Sequence, residues 1–445
     1  MRRPARVAGV VLVLAVGATA QVRAPLRARA SLTPIEHVVV LYQENHSFDN
    51  VLGLFCIQNA RCDGAATGQI SDGSTIPLAQ ASDLVPVVAH NTRAQKTAIH
   101  GGLMNGFDRI QGCEPVTGYV CYSQLDPTQI PSVAALASQF AVSDRTFELS
   151  AVPSWGGHVE LAAATLDGFR GNNPTPAPDH EPANGWGCDS FKETQWRGSE
   201  GDLTVPACIP APDGSGPYKP SPVQWVPTIM DRLDEAGLTW KIYRSLKGFG
   251  SRASYNWAIC PTFADCIYTS QANNEVDSPQ ILSDAAAGTL PTLSLVMPTN
   301  SNSQHNGYSM LVGDNWIASV VNAIESGPDW SSTAIFITWD DCGCFYDHVP
   351  PPTGLGIRIP MVMVSPYAKP AFTDSTDASF ASMLAFTEHA FGLAPLAEAD
   401  ANAYDYSNAY DYSQHPLGPV HLSPVPVPPA TLRYISAHPP GEDGT

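Results

Sequence analysis

The chain is patterned in short, unbroken apolar runs that each stop abruptly at polar residues. Residues 35–42 (IEHVVVLY) run into Gln43-Glu44-Asn45-His46, and residues 293–297 (LSLVM) lead through Pro298 towards His305. Residues 334–339 (AIFITW) stop at Asp340-Asp341, and residues 360–364 (PMVMV) end at Ser365-Pro366. Residues 238–243 (LTWKIY) form a fifth such run. Continuous rather than alternating apolar positions predict strands buried on both faces, the signature of a parallel sheet. Between these runs apolar residues recur at helical spacing. Val226, Ile229, Met230 and Leu233 precede Gly237, and Trp316, Val320, Val321 and Ile324 precede Gly327. Phe380, Met383, Leu384 and Phe391 repeat the pattern. Strands alternating with helices predict an α/β fold with a mostly parallel sheet flanked by helices and carrying loop insertions.

Departures from this pattern mark the boundaries. Residues 170–222 are rich in Pro, Gly, Asn and Asp and are expected to form an insertion or cap on a domain spanning 31–400. Beyond it, residues 401–445 carry AYDYS twice, at 403–407 and 409–413, and then a Pro-rich tail. Two copies are too few for a solenoid, so a loose surface segment is expected there. At the other end, Arg2, Arg3 and Arg6 precede an apolar run at 7–20 that closes on Ala18-Thr19-Ala20. Residues 1–20 therefore read as a signal peptide; the run is shorter than the ~20 residues that span a bilayer, so a stable membrane anchor is not expected.

Charge narrows the partners. Of 445 residues 23 are basic and 42 acidic, a formal balance of −19 that becomes −22 once residues 1–20 are removed. So acidic a chain makes a poor nucleic-acid ligand and is repelled by anionic lipid, and any phosphate it handles needs a local attractor such as a bound cation. Ten cysteines include four couples close in sequence, 56/62, 113/121, 188/208 and 260/266. In an exported chain, secreted or periplasmic, such couples predict short-loop disulfides. Cys342 and Cys344 stand apart, because a bridge two residues long is strained.

Ligands of open α/β sheets bind beyond the carboxyl ends of the strands. Glu44-Asn45, Asp340-Asp341 and the loop of His305 all sit at such ends. Adjacent acids behind a buried strand repel unless a cation neutralises them, and this oxygen-rich set suits magnesium, calcium, manganese or mixed-ligand zinc. There is no Gly-Lys dipeptide and hence no Walker A loop, and neither H-E-x-x-H nor G-x-S-x-G occurs. Gly248-Phe249-Gly250-Ser251-Arg252-Ala253 fits a dinucleotide fingerprint only loosely and is read as a turn.

The same residues carry a family resemblance. Glu44-Asn45-His46-Ser47-Phe48-Asp49, followed by Gly53, resembles the E-N-x-S-F-D-x-x-x-G opening of the bacterial phosphoesterase family of phospholipases C and acid phosphatases. Residues 338–352 (TWDDCGCFYDHVPPP) are similar to its T-[WY]-D-[DE]-x-G-G-F-Y-D-H-V-P-P-P segment. Gly356-Ile357-Arg358-Ile359-Pro360 with Ser365-Pro366 resembles its G-x-R-[VI]-P…S-P stretch. Residues 101–107 (GGLMNGF), preceded by His90, resemble G-G-x-M-[DN]-G-F. The likeness runs in order over residues 35–392.

The resemblance implies an alkaline-phosphatase-like core and one divalent cation, of a kind left open, held by Glu44, Asn45, Asp340 and Asp341. It maps a hydroxyl nucleophile onto Ser154 in Val152-Pro153-Ser154-Trp155-Gly156-Gly157-His158, here expected as a small-residue turn. Gly157 stands where Asn is usual, and Cys344 where Gly is usual. A cation would activate the serine and neutralise the phosphoryl oxygens, and His305 or His90 would protonate the leaving alkoxide; His100 is a weaker candidate. The expected substrate is a phosphate ester, either a phospholipid-type diester or a small phosphomonoester. The alternatives are a non-catalytic secreted binding protein on the same scaffold and an arylsulfatase-like hydrolase, although no C-x-P-x-R motif occurs.

Overall fold

A computed structural model describes residues 33–246 and 251–438, with the backbone alone for 251–253. The signal-peptide reading of residues 1–20 falls outside the described residues, as do Gly248-Phe249-Gly250 of the loose fingerprint. Eight strands make the main sheet: β1 (His37–Gln43), β2 (Ala141–Ser143), β3 (Trp240–Arg244), β4 (Glu275–Asp277), β5 (Leu293–Val296), β6 (Thr333–Trp339), β7 (Met361–Val364) and β8 (Thr373–Asp374). Their spatial order is β4-β3-β5-β1-β6-β7-β2-β8. Central β6 is buried along its whole length, and β1 is buried beyond His37. That accounts for the unbroken apolar runs. Seven strands run one way; β7 alone is antiparallel, to β6 on one side and β2 on the other.

The helices include α1 (Ser154–Ala163), α2 (Ile229–Ala236), α3 (Met310–Glu325) and α4 (Phe380–Phe391). The last three cover the three helical patterns of the sequence except Val226, which precedes the Thr228 N-cap of α2. Helix α1 is buried on every side, so it has no polar stripe to give the amphipathic signal of a surface helix. Among the described residues no helix is long and apolar enough to cross a membrane.

Residues 170–222 include a three-stranded antiparallel sheet of Thr175–Pro176, Lys192–Gly198 and Gly201–Pro206. All four sequence-local cysteine couples are disulfides, while Cys342 and Cys344 remain thiols. The expectation of a loose segment after residue 401 needs correction. Tyr406 is fully buried beside Phe336, with its hydroxyl 3.0 Å from Thr146 Oγ1, and Tyr410 packs on Phe386. The Pro-rich stretch then lies along α3. There Asn315 exchanges two 2.8 Å hydrogen bonds with the Val425 backbone, and Asn322 does the same with Leu422. The side-chain amides serve the tail's backbone groups as a neighbouring strand would.

Candidate active site

The register of the two central strands builds the site. Gln43 lies opposite Trp339 in the parallel β1–β6 pair, so Glu44-Asn45 and Asp340-Asp341 leave the sheet side by side. The junction is fastened twice: Asp340 N–H donates to the Gln43 carbonyl at 3.1 Å, and Asn45 N–H donates to Asp340 Oδ1 at 2.9 Å. All four side chains are buried.

Helix α1 brings Ser154 to this junction. Segment 152–158 is therefore not the expected turn but the start of a helix, with Pro153 at its N-cap position. The local sequence explains the approach. A Cβ on Gly157 would stand 2.6 Å from the Asp340 carbonyl oxygen, so only glycine lets the helix cross so near the strand end; an asparagine there would collide with it. Ser154 Oγ lies 3.3 Å from Glu44 Oε2, 3.2 Å from Asn45 Oδ1 and 3.2 Å from Asp341 Oδ2. As the first residue of a helix, it also sits where the helix dipole favours an anion, although Trp155 N–H is already taken by Asn173 Oδ1 (2.9 Å) and Gly157 N–H by the Pro153 carbonyl (3.2 Å).

The arrangement fits a cation. A hydroxyl has one proton to donate, yet three oxygens surround this one. Among the described residues Asp340 Oδ2 is buried without a hydrogen-bond partner. The Asn45 amide has two settings. With Oδ1 turned to the acids it adds an oxygen ligand, and its nitrogen lies 3.0 Å from His305 Nε2 and 3.3 Å from His90 Nε2. Turned over, the nitrogen lies 3.2 Å from Ser154 Oγ, 3.1 Å from Asp341 Oδ2 and 3.2 Å from Asp340 Oδ1, with two protons to share among them, while the oxygen accepts from both imidazoles. The second setting pairs the amide without an ion but leaves Asp340 Oδ2 unpartnered; the first places carbonyl and carboxylate oxygens together, which calls for a cation among them.

His90 and His305 thus reach the cluster through Asn45. Each has its Nδ1 on a backbone carbonyl, that of Val88 at 2.8 Å and that of Asn306 at 3.2 Å, leaving Nε2 towards the site. His100 pairs instead with Asn105. A residue that sequence reasoning missed is His158, one helical turn after Ser154. Its Nε2 is 3.3 Å from Glu44 Oε1 and 3.7 Å from Asp340 Oδ2, and the three groups lie close enough to share an ion. The i, i+4 spacing would have found it had the segment been read as helical. His46 bonds Asn50 and the Gln304 carbonyl, and burial lowers its pKa to about 4, so it is a neutral strut at ordinary pH.

The remaining motif residues hold the loops in place. Arg358, fully buried, donates to Asp347 (3.1 Å) and Asp49 (3.1 Å), and His348 Nδ1 meets Asp49 at 2.6 Å. For His348, burial alone would lower the pKa, but the Asp49 hydrogen bond and the Asp49 and Asp347 charges raise it to about 9. Burial raises Asp347 to about 6 against the opposing pull of Arg358. The network joins the segments that follow β1 and β6, which carry the two acid pairs.

The sequence model of the Phosphoesterase family matches residues 35–394. The chain is similar to the "Non-hemolytic phospholipase C" of Burkholderia pseudomallei, 24% identical over 443 residues that cover 82% of this chain and 56% of that protein. It is also similar to the "Non-specific phospholipase C1" of Arabidopsis thaliana, 25% identical with 75% and 61% covered. The chain thus spans between half and two thirds of the length of these two relatives. A solved protein in the alkaline phosphatase superfamily from Vibrio parahaemolyticus aligns at 12% identity and a TM-score of 0.38, over 84% of this chain and 71% of that one.

Proposed function

The chain belongs to the phosphoesterase family, and from that premise we propose that it is a metal-dependent phosphoester hydrolase working outside the cytoplasm through Ser154 as nucleophile. The observation that carries the reading is Ser154 Oγ, set at a helix N-terminus within 3.3 Å of oxygens from both strand ends. Residues 31–400 are the proposed catalytic domain, with 170–222 as its cap. The four disulfides support an oxidising compartment.

In this mechanism Glu44, Asn45, Asp340 and Asp341 would hold a divalent cation, with His158 beside them. When bound, the cation lowers the pKa of the serine hydroxyl and neutralises phosphoryl charge. Ser154 gives up its proton towards the Glu44 or Asp341 carboxylate as its Oγ–P bond forms. In line with it, the bond from phosphorus to the leaving oxygen breaks. The N-terminal end of α1, where the helix dipole favours an anion, would face the phosphoryl oxygens. His305 or His90, once protonated and with its Nε2 turned from the Asn45 amide to the leaving oxygen, passes a proton to the departing alkoxide. A water molecule then attacks the phosphoserine, restoring the hydroxyl and releasing phosphate or a phosphomonoester.

The names of the relatives favour a phospholipase C-type diester, and a small phosphomonoester is the alternative. Parallel assays of a chromogenic phosphomonoester, a phosphodiester and phosphatidylcholine separate the two. Absence of hydrolysis of all three by the metal-loaded protein would return the chain to the class of binding proteins.

A further inference from the structure

Behind the acid pair that follows β6 lies a second cluster, of which the hydrolytic reading uses only Asp341. Cys342 and Cys344 are fully buried, and their sulfurs stand 3.8 Å apart. The other eight cysteines are all joined in disulfides. Beside Cys342 are the buried carboxylates of Glu148 and Asp341, and ligand atoms of Glu148, Asp341 and Cys342 lie within 4.8 Å of one another.

We propose that Cys342, Cys344 and Glu148, with Asp341 shared from the neighbouring cluster, form a second, structural site for a thiophilic divalent cation such as zinc. The spacing suits it: a tetrahedral ion bonded to two sulfurs at about 2.3 Å places them about 3.8 Å apart. Two sulfurs and two carboxylates match in kind and number the four ligands of a closed zinc site, with Cys344 joining the Glu148–Asp341–Cys342 group through the 3.8 Å contact of its sulfur with that of Cys342. The backbone supplies the outer contacts that such ligands need. Cys344 N–H points at Cys342 Sγ (3.1 Å), Cys342 N–H donates to Glu148 Oε1 (2.6 Å), Ile357 N–H to Glu148 Oε2 (3.2 Å) and Gly343 N–H to Asp341 Oδ1 (2.7 Å). As each metal–sulfur bond forms, the thiol releases its proton to solvent. The turn is shaped for this purpose. Gly343 has φ +54° and a Cβ there would lie 2.0 Å from the Asn45 carbonyl, while Cys344 keeps a side chain at φ +52°, where glycine would be easier. Held this way, Asp341 would be anchored from behind while it faces Ser154.

The test uses full-length protein carrying Co²⁺ in place of its native metal. Thiolate-to-cobalt charge transfer gives near-ultraviolet absorption that the oxygen and imidazole ligands around Ser154 do not produce, so the readout is independent of the hydrolytic reading. The wild type should show the band. The C342S/C344S variant should lose it together with one metal equivalent per chain. Should that variant not fold, titrating the zinc-loaded wild type with a mercurial should release one zinc per two sulfurs, read with a metal-sensitive dye. A wild type without the band would overturn the proposal, as would a Cys342–Cys344 disulfide in unreduced peptide maps or mercurial titration without zinc release.

Discussion

Replacing Gly157 by alanine tests whether the approach of α1 to the sheet sets the chemistry. The new Cβ would stand 2.6 Å from the Asp340 carbonyl oxygen, where carbon and oxygen settle at about 3.3 Å or more. About 0.7 Å of room must therefore be found. The obstacle is backbone, tied into the sheet by the Asp340 N–H bond to Gln43, so the helix yields rather than the strand. Alanine gains about 1 kcal/mol of helix propensity over glycine, and overpacking a filled core costs about 1–3 kcal/mol. The difference leaves the fold weaker by about 1 kcal/mol and intact. Activity should suffer more. Gly157 N–H donates to the Pro153 carbonyl at 3.2 Å, so a shift at 157 carries Ser154 with it. A misplacement of about 1 Å costs on the order of 10²-fold in rate, and a shift of about 0.7 Å should lower kcat by on the order of 10- to 10²-fold. The assay is turnover of the best of the three ester classes, with thermal melting beside it. Gly418→Ala, whose added Cβ meets nothing within 4 Å, is the control. Wild-type kcat in Gly157→Ala would refute the coupling of helix position to reaction, and an unfolded variant would refute the energy balance.

Four further outcomes are expected. Ser154→Ala should lower turnover on the order of 10³-fold or more with the fold retained, and acid-quenched wild type should carry phosphate on the peptide containing residue 154. Normal turnover in the variant would assign the attack to water instead. Exhaustive chelation, or Asp340→Asn, should abolish most activity, and full activity in either case would exclude metal dependence. His305→Gln should slow esters with poor leaving groups far more than nitrophenyl esters; equal losses would make His305 a phosphate contact. Because His348 has its pKa raised from 6.5 to about 9, it binds its proton more tightly when folded. Its stabilising contribution is therefore whole below about pH 6.5 and vanishes as pH rises through about 9; the shift corresponds to about 3 kcal/mol, cut to on the order of 2 kcal/mol by solvent screening of the partly exposed ring. Denaturant titrations of wild type and His348→Gln across that range should converge at the alkaline end, and a constant gap would be inconsistent with this linkage.

How much of the molecule was legible in the sequence depends on what each pattern measures. Apolar runs report burial, so β1, β3, β5, β6 and β7 were visible at 35–42, 238–243, 293–297, 334–339 and 360–364. Burial has no direction, and nothing in PMVMV distinguishes β7, which runs against its neighbours, from β6, which runs with the rest. Strands β2, β4 and β8, of three, three and two residues, are too short to carry a period. The acid pairs were readable because charge behind a buried strand is costly and conspicuous. His158 was not, since the glycines that let α1 approach the sheet also disguise it as a turn. The tail misled for a related reason. Prolines and repeated Tyr-Asp suggest exposure, whereas the tyrosines are held by Phe336 and Phe386, far away in the chain.

The pairing of β1 with β6 has a kinetic consequence. Asn45 and Asp340 are 295 positions apart in a chain of 445, so neither half of the candidate metal site exists as a site until the long intervening stretch has been threaded into place. The four disulfides close intervals of only 6, 8, 20 and 6 residues and do nothing to shorten that search, whose entropic cost grows with the length of loop to be closed. An ion captured here would then act as a late clasp. It would bind the finished sheet and hardly at all its nascent halves, and so tie retention of the metal to completion of folding.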